Sequence, residues 1–395
     1  MIPITRAIFD ESDLAIIQEP LKSGWVVQGR FVKEFEDRFA AMARAPHAVA
    51  VSSCTTGLHI AMAALGVKPG DEVLVPAFTW VATANCVEYM GAKPVFVDID
   101  PRTFNIDPAQ IERYITPRTV GIIPVHMFGL SADMAPVMEI AQRHGLFVVE
   151  DAACSFDAWY QGAHTGTFGD FGVFSFHPRK AITTGEGGMI LTRDAAQATH
   201  ARTLRDHGAS RSDLERHEQK YSFLLAEYHE VGFNYRMTDI QGALGVSQMA
   251  KAEWIMAERR AAAARYDALL ADVEWLRLPF RHPDYVHGYQ SYVTWFRPED
   301  ATLEACDAVF EQRNAMMAAM EENGIVTRQG THAPPHLHYY AQKYGIRPED
   351  YPNAYMAERM SITLPLYAGM TDEESRQVVD ALHAELASTA GALAG

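Results

Sequence analysis

The chain has 395 residues, of which 48% are hydrophobic and 21% charged. That length can bury large cores and favours two domains over one. The formal net charge of -16 excludes a nucleic-acid surface, and it means that an anionic substrate must be held by local positive charge against the field of the whole protein.

In chain order, the first strong pattern is a short apolar run, AVAV, followed by SSCTTGLHIAMAALG over residues 52–66. Leu58, Ala61, Met62 and Leu65 recur at helical spacing, and Gly66 stands where a helix would stop. Ser and Thr crowd the start of this helix. Unpaired amide donors and the positive end of the dipole suit a phosphate there, although Ser and Thr are also ordinary N-caps. The runs EVLVP, PVFVDI, VGIIPVH, LFVVE, FGVFSF and MILT then alternate with helical stretches such as 131–144. That alternation predicts a largely parallel sheet covered by helices. From about 249 to 272 an Ala-rich pattern predicts a long helix leading into a smaller α+β domain, which divides the chain into 1–250 and 251–395. The closing ASTAGALAG is small and weakly patterned, so a frayed tail is expected.

No apolar run is long enough for a bilayer, and MIPITRAIFDESD lacks a basic-then-apolar signal. A soluble, cytoplasmic protein is the expectation. Cys54, Cys86, Cys154 and Cys306 are scattered without paired spacing, which suggests neither a disulfide framework nor a Cys-based zinc site. His332, His336 and His338 invite a metal reading, but Pro334 and Pro335 exclude a regular helix through their spacing. No metal is expected, and the segment reads better as a loop. GEGG at 185–188 lacks the GxxxxGK[ST] pattern, and no GxGxxG follows a strand, so nucleotide-loop readings are disfavoured.

The chemistry is concentrated in FGVFSFHPRKAITTGEGGMILT at 171–192, read together with VVEDAA at 148–153. A lysine amine forms a Schiff base with an aldehyde and, once released, moves protons between carbons. Lys180 is the candidate for both roles. A pyridoxal ring becomes an electron sink while a carboxylate keeps its nitrogen protonated, and Asp151, just after LFVVE, is the candidate carboxylate. Both residues fall beyond strand ends, where open α/β sheets place ligands.

These segments resemble the DegT/StrS family of pyridoxal phosphate-dependent sugar aminotransferases. The resemblance runs collinearly from SGWVVQG at 23–29 through SSCTTGLH, PGDEVLVPAFTWVATAN, AKPVFVDIDPRTFNID, IIPVHMFG, VVEDAA, SFHPRKAITTGEGGM and FNYRMTDIQGALG to ITLPLYAGMTDEE. It implies a fold type I PLP-dependent transferase: a large domain with a mostly parallel sheet and a smaller α+β C-terminal domain. It also implies pyridoxal 5'-phosphate as cofactor, with pyridoxamine 5'-phosphate as its intermediate form. Lys180 matches the cofactor-bearing lysine and Asp151 the partner of the pyridine nitrogen. Trp80 matches the aromatic that stacks on the ring, which fixes its plane. Thr55 and Thr56 match the phosphate turn, Ser175 the hydroxyl completing it, and Asn234 a residue reaching the phosphate of the neighbouring subunit. A homodimer with shared active sites follows from that match.

Two positions depart from the family pattern. Cys54 stands where the phosphate turn usually has glycine, and Cys154 where glutamine or histidine usually lies against the ring; both are carried as cofactor contacts, Cys154 as a small soft hydrophobe. The implied reaction is transfer of an amino group from L-glutamate to a keto sugar, foremost a nucleotide-linked 4-keto-6-deoxyhexose. The resemblance leaves open a keto-inositol, a 3-keto sugar, a PLP-dependent sugar dehydratase, or a regulatory homologue without turnover. The loop around His332 is expected to approach the sugar.

Overall fold

The computed structural model describes residues 1–211 and 225–392. Seven strands form the central sheet: β1 (His47–Val51), β2 (Glu72–Pro76), β3 (Lys93–Val97), β4 (Thr119–Ile122), β5 (Phe147–Asp151), β6 (Phe171–Ser175) and β7 (Gly188–Thr192). Their spatial order is β1-β7-β6-β5-β4-β2-β3. The strands β2 to β6 pair in parallel, while β7 runs antiparallel to both its neighbours. Every apolar run singled out above contributes a strand. Helices cover both faces, so β2 and β7 are buried along their whole length, and such strands read as continuous apolar runs.

A second sheet of three antiparallel strands joins Leu276–Arg277, Tyr292–Phe296 and Ser361–Leu364. The helices Cys306–Glu322 and Asp372–Ala392 accompany it. The N-terminal residues also reach this region, since Ile2 bridges Ile325 and the Leu366 amide donates to the Ile4 carbonyl at 3.1 Å. The apolar core is continuous between the two sheets. Phe104, from the loop after β3, stacks on the buried Trp295 with ring centroids 5.5 Å apart.

Three boundaries differ from the sequence expectation, each for a physical reason. The long helix spans Asp239–Leu269 and starts about ten residues early, because Thr238 and Gln241 form a capping box. Its first turns carry Gly242 and Gly245, which look like helix breakers but serve close packing. A Cβ on Gly242 would lie 2.5 Å from the Val32 amide, and one on Gly245 would lie 2.6 Å from the Phe35 ring. The helix expected from 131 begins at Met134, because the Ser131 hydroxyl turns back onto the Ala132 carbonyl at 2.7 Å. The final helix runs through much of ASTAGALAG to Ala392, and 393–395 lie outside the described residues.

Candidate active site

Lys180 sits on a turn after β6. The turn is closed by the Lys180 amide donating to the His177 carbonyl at 2.8 Å and the Arg179 amide donating to His177 Nδ1 at 3.2 Å. Its side chain points back over the sheet, where Nζ donates to Cys154 Sγ at 3.1 Å. Burial lowers the Lys180 pKa, but the sulfurs of Cys154 and Cys54 and the Asp151 carboxylate outweigh that and hold it above its usual value.

Asp151, the last residue of β5, is buried beneath this turn. Its Oδ2 accepts from Thr83 Oγ1 at 2.7 Å and its Oδ1 from the Ala153 amide at 3.1 Å, with Cys54 Sγ 4.0 Å from Oδ1. Burial raises its pKa above the ordinary carboxylate value; the Thr83 and Ala153 bonds and the charge of Lys180 act in the opposite direction. Thr83 escaped the sequence reading. Its only local signal was the spacing Thr79-x-x-x-Thr83 across the start of the helix Ala82–Tyr89, and nothing local says which carboxylate lies above it.

The helix Cys54–Ala64 starts at the end of β1, capped by Ser53, whose hydroxyl accepts from the Thr56 amide at 3.1 Å. Thr56 Oγ1 returns a bond by accepting from the Ser53 amide at 3.0 Å. Cys54 is buried, with Sγ 3.6 Å from the Val173 carbonyl. Gly188 on β7 makes this seat possible, because a Cβ there would lie 2.5 Å from the Ser53 carbonyl carbon and 2.7 Å from the Cys54 amide. Ser175, at the end of β6, accepts from the His177 amide at 3.4 Å and is half-buried.

Trp80 is 59% exposed, although Phe78 and Thr79 immediately before it are almost completely buried. Its ring lies 5.6 Å from that of His332, and the His332 carbonyl accepts from the Thr79 amide at 3.0 Å. His332 also bonds Glu358 at 3.2 Å, His336 packs against Tyr355, and His338 is exposed. The three histidines thus have separate surroundings and do not converge. Lys343 is held by Glu88 and Tyr339. Asn234 is exposed and forms an isolated β-bridge with Asp206.

A cavity of about 470 Å³ lies elsewhere, lined by Asp100, Asp107, Asp133 and Tyr285 among others. It shares no lining residue with the Lys180 site, and its carboxylates are already engaged by Arg102, the Ala109 amide and Tyr160. Chemistry is better supported at Lys180. A phosphorylated pyridine aldehyde asks for an amine, a carboxylate, a flat ring face and an anion seat. Lys180 Nζ, the Asp151 carboxylate, the uncovered ring of Trp80 and the first turn of the Cys54–Ala64 helix offer groups of those four kinds.

Residues 8–383 match the DegT/DnrJ/EryC1/StrS aminotransferase family. GDP-perosamine synthase of Caulobacter vibrioides is 37% identical over 387 residues, covering 96% of this chain and 97% of that protein. The aminotransferase TlmJ of Streptoalloteichus hindustanus superposes with a TM-score of 0.88 at 31% identity, covering 99% of this chain and 100% of that one. Spr1654 of Streptococcus pneumoniae in its PMP form superposes at 0.89 with 26% identity, covering 98% and 99% of the two chains, and it has been solved in a PLP form as well. The chain belongs to the DegT/DnrJ/EryC1/StrS aminotransferase family and is a pyridoxal phosphate-dependent aminotransferase of fold type I.

Proposed function

We propose that the chain transfers an amino group from L-glutamate to a nucleotide-linked keto sugar, foremost a 4-keto-6-deoxyhexose, in the formation of a deoxyamino sugar. The observation that carries this reading is the near-complete collinearity with a relative named for a GDP-linked product, at 37% identity. The intact Lys180–Asp151 arrangement supports it.

When bound, pyridoxal phosphate supplies an electron sink and a carrier for the amino group. The chain's own residues then divide the work. Lys180 Nζ takes the proton from the α-carbon of the donor and later delivers one to the carbon being aminated. The Asp151 carboxylate would hold a proton on the ring nitrogen. Amides at the start of the Cys54–Ala64 helix, with Thr55, Thr56 and Ser175, would hold the phosphate. Trp80 and Cys154 would bear on the ring, and the His332 loop beside Trp80 would bound the side from which the sugar enters.

The active assembly is a homodimer in this reading. Leu14, Leu21, Val26 and Val27 lie exposed on neighbouring N-terminal segments, an apolar face that a second copy would cover. The exposed Asn234 would then reach the partner's phosphate seat. Sedimentation at micromolar concentration should give twice the chain mass.

The test is the visible absorbance of the purified protein before and after L-glutamate, followed by nucleotide-linked keto sugars, with Lys180→Ala alongside. Glutamate should convert the yellow form to the pyridoxamine form in the parent chain, and Lys180→Ala should lose turnover by at least about a thousandfold. Undiminished turnover in Lys180→Ala, or a sequential kinetic pattern in place of ping-pong, would sink the proposal.

A further inference from the structure

Thr83 is fully buried in the first turn of the helix Ala82–Tyr89. A hydroxyl has one proton to give, and Thr83 gives it to Asp151 Oδ2 at 2.7 Å. Thr83 Oγ1 therefore accepts from Thr79 Oγ1, 2.9 Å away, so that both hydroxyl dipoles point toward the carboxylate. Thr79 is fixed in turn by its amide, which donates to the His332 carbonyl at 3.0 Å. The result is a directed pair of hydroxyls, Thr79 to Thr83 to Asp151, with the Thr79 backbone anchored separately to the His332 loop.

The carboxylate is thereby held at both oxygens: Thr83 bonds Oδ2, and the Ala153 amide bonds Oδ1 at 3.1 Å with Cys54 Sγ 4.0 Å from the same atom, while accepting capacity remains for a ligand. We propose that Thr83 is a positioning residue that fixes the rotation of the Asp151 carboxylate and keeps it ionised for the ring nitrogen of the cofactor, with Thr79 orienting Thr83. This rests on the reading of Asp151 as the partner of that nitrogen.

Two observations favour positioning over plain packing. The two threonines are themselves buried, in a segment where Phe78, Ala84, Cys86 and Val87 are fully buried as well. In such surroundings a valine of the same shape would pack as well, so the hydroxyl matters because it has a charged acceptor. The second is the set of groups that act on Asp151. Burial raises its pKa, and the Thr83 bond comes first among the opposing influences, ahead of the Ala153 amide and Lys180. Removing Thr83 therefore lets the carboxyl take up a proton at higher pH, and a neutral acid no longer holds the ring nitrogen protonated.

The experiment reconstitutes the full chain with pyridoxal phosphate labelled with 15N in the ring. It compares the ring 15N shift between about pH 6 and 9 and the cofactor dissociation constant for the parent, Thr83→Val, Thr83→Ser and Asp151→Asn. Thr83→Val should move the shift toward the unprotonated ring and weaken cofactor binding roughly 10- to 100-fold, and Thr83→Ser should restore both. Thr79→Val should give the same changes at smaller size, and it carries the test should Thr83→Val fail to fold. A parental shift and affinity in Thr83→Val, with the protonated ring lost in Asp151→Asn, overturns the role of Thr83 alone. A protonated ring retained in Asp151→Asn overturns the underlying reading of Asp151 and the proposal with it.

Discussion

Glu150 and Asp151 are consecutive carboxylates at the end of β5, and strand alternation sends them to opposite faces of the sheet. Glu150 is completely buried and saturated. Its Oε1 accepts from the amides of Phe168 and Gly169 at 2.7 and 2.8 Å, and its Oε2 from the Gly166 amide and His126 Nε2 at 2.6 and 2.9 Å. His126 Nδ1 accepts from the Ala132 amide at 3.0 Å, which places the ring proton on Nε2, facing Glu150. Asp151 is equally enclosed but accepts from Thr83 and Ala153, with Cys54 Sγ 4.0 Å from Oδ1, and keeps accepting capacity. One carboxylate ties the 166–169 turn to the sheet; its neighbour is left with unused lone pairs. Burial alone would not separate them, whereas counting the donors on each oxygen does.

The largest expected effect comes from exchanging the two roles. Glu150→Gln would turn an amide nitrogen toward backbone N–H donors, and it should lower the unfolding free energy by about 3–5 kcal/mol in denaturant titrations. Asp151→Asn should leave the cofactor-free chain as stable as the parent or more so, because it removes a buried charge, yet reduce amino transfer by roughly 10²–10³-fold. The comparison breaks if Asp151→Asn destabilises the cofactor-free chain as much as Glu150→Gln does.

A smaller effect tests the anion seat. Gly188→Ala would force β7 away from the Ser53–Cys54 backbone, with an expected loss of about 1–3 kcal/mol and weaker cofactor phosphate binding. Unchanged stability and unchanged phosphate affinity would show that the helix start tolerates displacement.

The smallest effect is one of pH. The Asp151 pKa is raised by burial, so between the ordinary carboxylate value of 3.8 and its folded value the native chain holds a proton that the unfolded chain has lost. Its contribution to the stability of the cofactor-free protein therefore falls as pH rises through that window. Chemical unfolding across the window should show this component of the slope in the parent and lose it in Asp151→Asn. An identical slope in both would mean that Asp151 titrates alike folded and unfolded.

How much of this was legible beforehand varies with the range of the interaction. The strand runs were readable because strands buried on both faces are continuously apolar. The helix start at Cys54 was readable from its Ser and Thr, and Lys180 and Asp151 from the chemistry that an amine and a carboxylate beyond strand ends can perform. The start of the long helix lies before the Ala-rich pattern that announces it, because Gly242 and Gly245 are placed by close packing against Val32 and Phe35 rather than by helix propensity. Asp239 shows the same limit. It caps a different helix, Arg30–Ala43, accepting from the amides of Phe31 and Val32 at 2.9 and 3.0 Å, and no local pattern announces a cap donated from about 200 residues away.

The sequence by itself determined the alternation of strands and helices and the Ser-rich turn at the start of a helix, and it nominated Lys180 and Asp151 as the amine and carboxylate of the proposed site. Each of these is written within a few residues by periodicity or by functional-group chemistry. Tertiary structure alone decided that Glu150 is sealed while Asp151 is open, that Thr83 lies beneath one oxygen of Asp151, and that Gly188 passes against Ser53. These outcomes depend on which backbone amides and hydroxyls converge from separate strands, and hydrogen bonds between distant segments leave no period in the chain.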